Sequence, residues 1–268
     1  MREVQSLSFG GGVQSNAILV LVAQGKLPPP DVVIIADTGY ETKATWNYLS
    51  KYGEPLCHKL GIPFMRVSRA GSNLDPKYNS AIIDDELGAN ILIPAFIQHN
   101  DGVSKARTFC SDIWKRAVVR HNLRLRYPQA KKIVEWIGFS VDEIARAQRR
   151  KIALHDEKWH SRYPLLELKI SRYRAAEIVR EYGWDTPPRS ACWMCPNNNN
   201  ARWRHIRDNY PDEFAKAVKF EKWLQDRAES TDHEYKPYLH RSAIPINAAP
   251  IDDDKQGDFG FCDNGCFT

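Results

Sequence analysis

The chain has 268 residues, 43% of them hydrophobic and 26% charged, which supplies a sizeable core and excludes global disorder. No apolar run approaches the ~18 residues that a membrane span needs and no charged-then-apolar leader opens the chain, so a cytoplasmic protein with no membrane partner is expected. The net charge of +5 permits a nucleotide or nucleic-acid partner without demanding one, and six cysteines in a reducing compartment point to metal or redox work rather than a disulfide framework.

Val4 to Ser8 reads as the first strand. It passes through Gly10, Gly11 and Gly12 into a helix that opens Val13-Gln14-Ser15-Asn16 and stops near Gln24, ahead of Gly25 and Pro28-Pro29-Pro30. Strand, glycine turn and helix together hold anions: the glycines let backbone approach closely, and the first helical amides point at the ligand with the helix dipole behind them. The turn is neither a Walker loop, which needs a lysine after its last glycine, nor a dinucleotide fingerprint, whose glycines are spread apart. Asp31 to Asp37 is a continuous apolar run, as expected of a strand covered on both faces of a parallel sheet. It ends in Asp37-Thr38-Gly39 at the carboxyl end, where open α/β sheets bind ligands. The plainer alternative makes Asp37 and Thr38 a cap for the helix starting near Lys43.

Lys43 to Leu60 reads helical, with a kink or break at Gly53 and Pro55. A turn at Gly61 leads into a third strand ending near Val67, with Arg66 and Ser68 at its end. Residues 70–107 are less regular and are expected to form an insertion or lid over the substrate. Ser111 or Asp112 can cap a helix running through Val119 to about Arg124. Cys110 then sits at a helix N-terminus with Arg107, Lys115 and Arg116 near it in sequence, a setting that favours a reactive thiolate. Lys131 to Phe139 is the next strand. Gly138 lies at its end, Asp142 and Glu143 start a helix where acids are favoured by the dipole alone, and Arg146 follows one turn on. Arg162 to Leu168 is expected as a last short strand, and Ser171 as the cap of a helix ending at Tyr182.

The pattern predicts an α/β fold, a doubly wound parallel sheet over 1–183 followed by a C-terminal helical, cysteine-bearing extension over 184–268. The extension holds Cys192-x-x-Cys195-Pro, the tract Asn197–Asn200, two helices with the second opening at Pro211, and a tail with Cys262 and Cys266. A Cys-x-x-Cys pair alone binds zinc, ligates an iron–sulfur cluster or acts as a redox dithiol. Cys57, inside an apolar helix, reads as an inert core thiol.

These motifs resemble the adenine nucleotide alpha-hydrolase, or PP-loop ATP pyrophosphatase, superfamily, whose pyrophosphate loop reads Ser-Gly-Gly-x-Asp-Ser. Gly11 and Gly12 match the paired glycines and Ser15 the closing serine, while Gly10 and Gln14 stand where the family has serine and aspartate. Asp37-Thr38-Gly39 is similar to the segment bordering adenosine in the phosphoadenylyl-sulfate (PAPS) reductase branch, and Gly138 to Arg146 to that branch's glycine, acidic pair and arginine. The resemblance implies ATP with Mg2+, bound through Ser8, Gly10, Gly11, Gly12, Gln14, Ser15, Asp37, Thr38, Gly138, Asp142 and Arg146. It also implies a 4Fe-4S cluster on Cys110, Cys192, Cys195 and Cys266, with Cys262 as the other choice for the fourth thiolate. Zinc on Cys192, Cys195, Cys262 and Cys266 is the alternative.

The implied activity is ATP-dependent sulfur transfer, with adenylation of the substrate, release of pyrophosphate and displacement of AMP by sulfur; Arg107, Lys115 and Cys266 are the implied catalytic residues. The implied partners are a nucleic acid (tRNA or DNA) as sulfur acceptor and a sulfur donor such as a cysteine desulfurase, and a homodimer stays open. A sulfonucleotide reductase ranks second, because the tail Asn264-Gly265-Cys266-Phe267 lacks the glutamate and histidine of that family's Glu-Cys-Gly-x-His motif. A zinc-binding nucleic-acid-binding protein is the non-enzymatic alternative.

Overall fold

In a computed structural model of the chain, the residues described are 3–68, 82–85, 88–91, 93–152, 157–230 and 235–253. They fall into two compact units, one drawn from 3–68 and 115–190 and the other from 82–114 and 191–253. The chain opens with β1 (Glu3–Ser8), α1 (Val13–Ala23), β2 (Val32–Asp37), α2 (Lys43–Tyr48), a π-helical turn Leu49–Gly53, α3 (Glu54–Lys59) and β3 (Phe64–Ser68). Next come β4 (Ile82–Asp85), β5 (Gly88–Ile91), β6 (Phe96–His99) and β7 (Gly102–Lys105) of the second unit. A π-helical stretch Ser111–Arg116 precedes α4 (Ala117–Arg126), β8 (Lys132–Trp136), a 3-10 turn Val141–Glu143, α5 (Ile144–Ile152), β9 (Trp159–Arg162), α6 (Pro164–Glu167) and α7 (Arg172–Glu181). The second unit closes with α8 (Asn200–Asn209), α9 (Pro211–Ser230) and β10 (Lys236–Tyr238).

The first unit is an α/β fold built on a five-stranded, wholly parallel sheet in the order β3-β2-β1-β8-β9. Strand alternation divides its faces. Leu7, Val33, Ile35, Val134 and Trp136 join one core cluster with α1, α3, α6 and α7. Glu135, between Val134 and Trp136, points the other way and accepts from Arg120 of α4 at 2.7 and 3.1 Å. Helices therefore cover both faces, as the unbroken apolar run of β2 requires. Every residue of α1 from Ser15 to Val22 is buried, the pattern of a helix enclosed on all sides. Each large apolar side chain so buried contributes about 1.5–3 kcal/mol.

Three local expectations are corrected. The last strand is Trp159–Arg162, and residues 164–167 are helical. Pro164 explains this: it lacks the N–H a strand ladder needs, while its fixed φ suits a helix's first turn. Neither Ser111 nor Asp112 caps the helix after Cys110, because the Phe109 carbonyl already accepts from the amides of Asp112 and Ile113, both at 3.0 Å. The segment 70–107 does not stand alone as an insertion: β6 pairs antiparallel with both β7 and β10, so its described part shares a three-stranded sheet with the C-terminal region. Two other local expectations hold. The break near Gly53 is the π-helical turn, and Ser171 Oγ caps α7 by accepting from the Arg174 amide at 3.1 Å.

In the second unit the asparagine tract is structural rather than low-complexity. Asn199 caps α8, accepting from Arg202 N–H at 3.0 Å. Buried Asn200 donates to the carbonyls of Pro250 and Asp253. His240 Nδ1 accepts from the Ser242 amide at 3.2 Å, which leaves Nε2–H to donate to Asn200 Oδ1 at 3.0 Å. Buried Glu221 of α9 accepts from the amides of Leu239 and Ile246 at 2.7 and 2.6 Å. These bonds fasten the segment after β10 to α8 and α9.

Candidate functional site

Strand order reverses at β1, with β2 and β3 on one side and β8 and β9 on the other. In open parallel sheets, ligands bind beyond the carboxyl ends of the strands at such a reversal, here β1 and β8. The glycine turn follows β1 at this end. Gly11 has φ +77°, a conformation that favours glycine, and a Cβ there would stand 2.6 Å from Thr45 Cγ2. Gly12 is the N-cap of α1; no side chain caps that helix and no acid occupies its first turn. The turn is braced from inside: Ser15 Oγ donates to Gly12 O at 3.1 Å, and Asn16 Nδ2 to Gly11 O at 3.2 Å and Gly12 O at 2.8 Å. These bonds draw the turn's carbonyls toward α1, an arrangement suited to an anion at its amides.

The segment after β8 lies against the same helix start. A Cβ on Gly138 would be 3.1 Å from Gln14 Cβ and 3.3 Å from the Ser15 nitrogen, so this glycine permits the approach. Gln14 Nε2 donates to Glu143 and, at 3.4 Å, to Ser140 Oγ. Arg146 pairs with that same Glu143 and lays its guanidinium 4.7 Å from the Phe139 ring centroid. Asp142 accepts from Ser140 Oγ at 3.0 Å and from the Arg172 amide at 2.6 Å. Gly11, Gly12, Gln14, Ser15, Gly138 and Arg146 are thus brought together, with Asp142 holding the start of α7.

At the end of β2, Asp37 accepts from Gly39 N–H at 2.8 Å and from Arg66 at 2.7 and 3.1 Å. Arg66 stacks 3.6 Å above the Trp46 ring. Thr38 Oγ1 accepts from the Tyr40 amide at 3.2 Å. Neither residue caps α2, whose N-cap is Thr42. Ser8 ends β1 and Gly10 begins the turn.

Sequence reasoning missed Glu41. Its side chain is 4% exposed. It accepts from Ser190 Oγ at 3.0 Å and Thr45 Oγ1 at 3.3 Å, and lies 3.7 Å from Lys115 Nζ. Lys115, expected from its place in the sequence beside Cys110, instead directs its ammonium to this carboxylate. The one available signal was a carboxylate placed two residues after Gly39, four before a threonine.

The thiols are placed as follows. Cys57 is fully buried, and burial, with Glu54 adding to it, pushes its thiol up to about 12, an inert state. Cys110 starts the helical stretch before α4, and Arg107 lies in the loop ahead of it. Cys192 and Cys195 share a tight turn in which Cys195 N–H donates to Cys192 O at 3.1 Å, with Trp193 edge-on to Phe220 of α9. Among the described residues, no group of three or more His, Cys, Asp or Glu side chains is placed to hold a metal ion. Those residues therefore do not make a four-thiolate cage by themselves; Cys262 and Cys266 lie outside the described residues.

Strand order and two-sided helix cover define the class: a parallel α/β protein whose glycine turn follows the strand at which the sheet order reverses. No described helix is long and apolar enough to cross a membrane. No protein-family model matches the chain, and no curated protein does. Among solved structures the chain is similar to the U34-tRNA thiolase NcsA from Methanococcus maripaludis with its 4Fe-4S cluster, at 14% identity and a TM-score of 0.44, covering 83% of this chain and 71% of that one.

Proposed function

We propose that the chain is an ATP-dependent sulfur-transfer enzyme of the PP-loop kind, close to the PAPS reductase-like branch. The observation that carries the reading is the internally braced glycine turn, opening onto an uncapped helix start where the strand order reverses. Gly11, Gly12 and Ser15 cradle the polyphosphate, and Asp37 and Thr38 border the nucleoside. A substrate oxygen attacks the α-phosphorus and pyrophosphate leaves. The α1 amides and Lys115 stabilise the charge that develops on that leaving group. Magnesium bound with the nucleotide would supply charge that screens the phosphates. A sulfur nucleophile then displaces AMP, with Cys192 and Cys195 as the thiols that handle sulfur. A nucleic acid, tRNA or DNA, is the proposed acceptor, and a cysteine desulfurase the proposed donor.

The test is stoichiometric. Turnover of ATP to AMP and pyrophosphate, stimulated by tRNA or DNA, supports the reading; sulfite release from an adenylated sulfate would replace it with a reductase. Metal analysis of anaerobically purified protein tests the thiols. Iron with an equal amount of acid-labile sulfide, lost in Cys192→Ala without change in ATP affinity, assigns the cluster; zinc alone assigns the alternative.

A further inference from the structure

Glu41 sets a problem that the proposed reaction does not use. A carboxylate this buried is costly unless its oxygens are satisfied. Ser190 and Thr45 supply two hydroxyl donors, and Thr45 Oγ1 lies 3.1 Å from Thr42 Oγ1. Lys115 supplies the positive charge, but at 3.7 Å, longer than a closed hydrogen bond. An ion pair held this way adds little stability compared with apolar packing. Its surroundings are informative. Thr45 is the residue that a side chain at Gly11 would strike, and Ser190 Cβ lies 3.7 Å from where a Cβ on Gly12 would stand. The two hydroxyl groups that Glu41 holds are therefore on the two side chains flanking the glycine turn. The cation it faces is 22% exposed.

We infer that Glu41 is a positioning residue that holds Lys115 beside the glycine turn and offsets its charge, keeping the site's grip on polyphosphate weak enough for pyrophosphate to leave. This rests on the reading of the turn as a polyphosphate site and adds to it a control on product release. A bound pyrophosphate competes with Glu41 for the Lys115 ammonium. Without the carboxylate, that competition ends and a negative charge near the turn is removed.

The experiment is calorimetric titration of inorganic pyrophosphate and of ATP into the full chain. Glu41→Gln keeps an acceptor for Ser190 and Thr45 while deleting the charge. It should bind pyrophosphate about tenfold tighter, the scale of one unit charge acting across a partly buried site, and release it more slowly in turnover. A structural role would only weaken binding, so tightening is the decisive sign. Ser190→Ala, which removes a hydroxyl and no charge, should not tighten binding. The double variant Glu41→Gln/Lys115→Met leaves no charge buried and should bind more weakly than wild type. If Glu41→Gln fails to fold, unchanged affinity in that double variant overturns the inference. Equal or weaker pyrophosphate binding by a folded Glu41→Gln overturns it too. Failure of the wild type to bind either probe would instead remove the polyphosphate site itself.

Discussion

The glycine turn makes unequal demands on its two inner residues, and a pair of alanine substitutions measures the difference. Gly11→Ala places a side chain at φ +77°, costing about 1–2 kcal/mol for the left-handed conformation. It also puts a methyl 2.6 Å from Thr45 Cγ2, well inside contact distance, for about 1–3 kcal/mol of overpacking. Together these destabilise the first unit by about 2–5 kcal/mol. Gly12→Ala has neither problem: φ is −87° and the new methyl meets Ser190 Cβ at an ordinary 3.7 Å. It should cost under about 1 kcal/mol, the penalty of a poorer N-cap. Thr45→Ser removes the colliding methyl but keeps the hydroxyl that Glu41 accepts from, so in the Gly11→Ala background it should recover the overpacking share and leave the conformational share. Urea unfolding of wild type, Gly11→Ala, Thr45→Ser and their double variant closes the cycle, with Gly12→Ala measured beside it. Equal destabilisation by the two glycine substitutions, or no recovery with Thr45→Ser, would show that the turn is not shaped as described.

Ser15→Ala deletes the hydroxyl that braces Gly12 O at 3.1 Å, worth about 1 kcal/mol; calorimetry should show ATP affinity falling several-fold with metal content unchanged, and unaltered affinity would count against a role for the brace. Arg120→Met removes the guanidinium paired with Glu135, whose side chain is 1% exposed, and should destabilise by about 3–5 kcal/mol, whereas Arg120→Met/Glu135→Leu should recover most of that loss in urea unfolding. Burial of His240, with Arg241 adding to it, pulls its imidazole down to about 4, below the ordinary 6.5. The unfolded chain thus binds the extra proton between those values, so stability is fully present above pH about 6.5 and falls as pH drops toward 4, by about 2 kcal/mol at pH 5. The urea midpoint of wild type should drop between pH 7 and 5, and His240→Gln should remove that part of the slope.

The sheet was readable because its signals are local. The apolar run of β2, the glycine turn after β1 and Gly183 after α7 each follow from short-range chemistry. The misplaced last strand shows the limit: Arg162-Tyr-Pro-Leu-Leu contains residues that suit a buried strand, and the lack of a donor at Pro164 decided otherwise. The glycine turn and the segment after β8 that packs on it were legible as motifs. Glu41 belongs to no recognised pattern, and its importance comes from Ser190, 149 positions away, meeting it in space. Gln14 stands where an aspartate was expected, and its amide donates to Glu143, a contact that a second carboxylate would turn into repulsion. The thiols remained ambiguous because spacing alone does not bring Cys110 to the Cys192–Cys195 turn.

The three-stranded sheet has a consequence for biosynthesis. Lys236 to Tyr238 complete a surface begun at Phe96 to His99, so during translation the β6 edge waits with its backbone groups exposed while β8 and β9 of the parallel sheet emerge behind it. The ribosome delivers the first unit's last strand before the second unit's. Maturation in that order leaves an open edge available to a stray strand, and the short length of β6 limits how well any intruder can hold on.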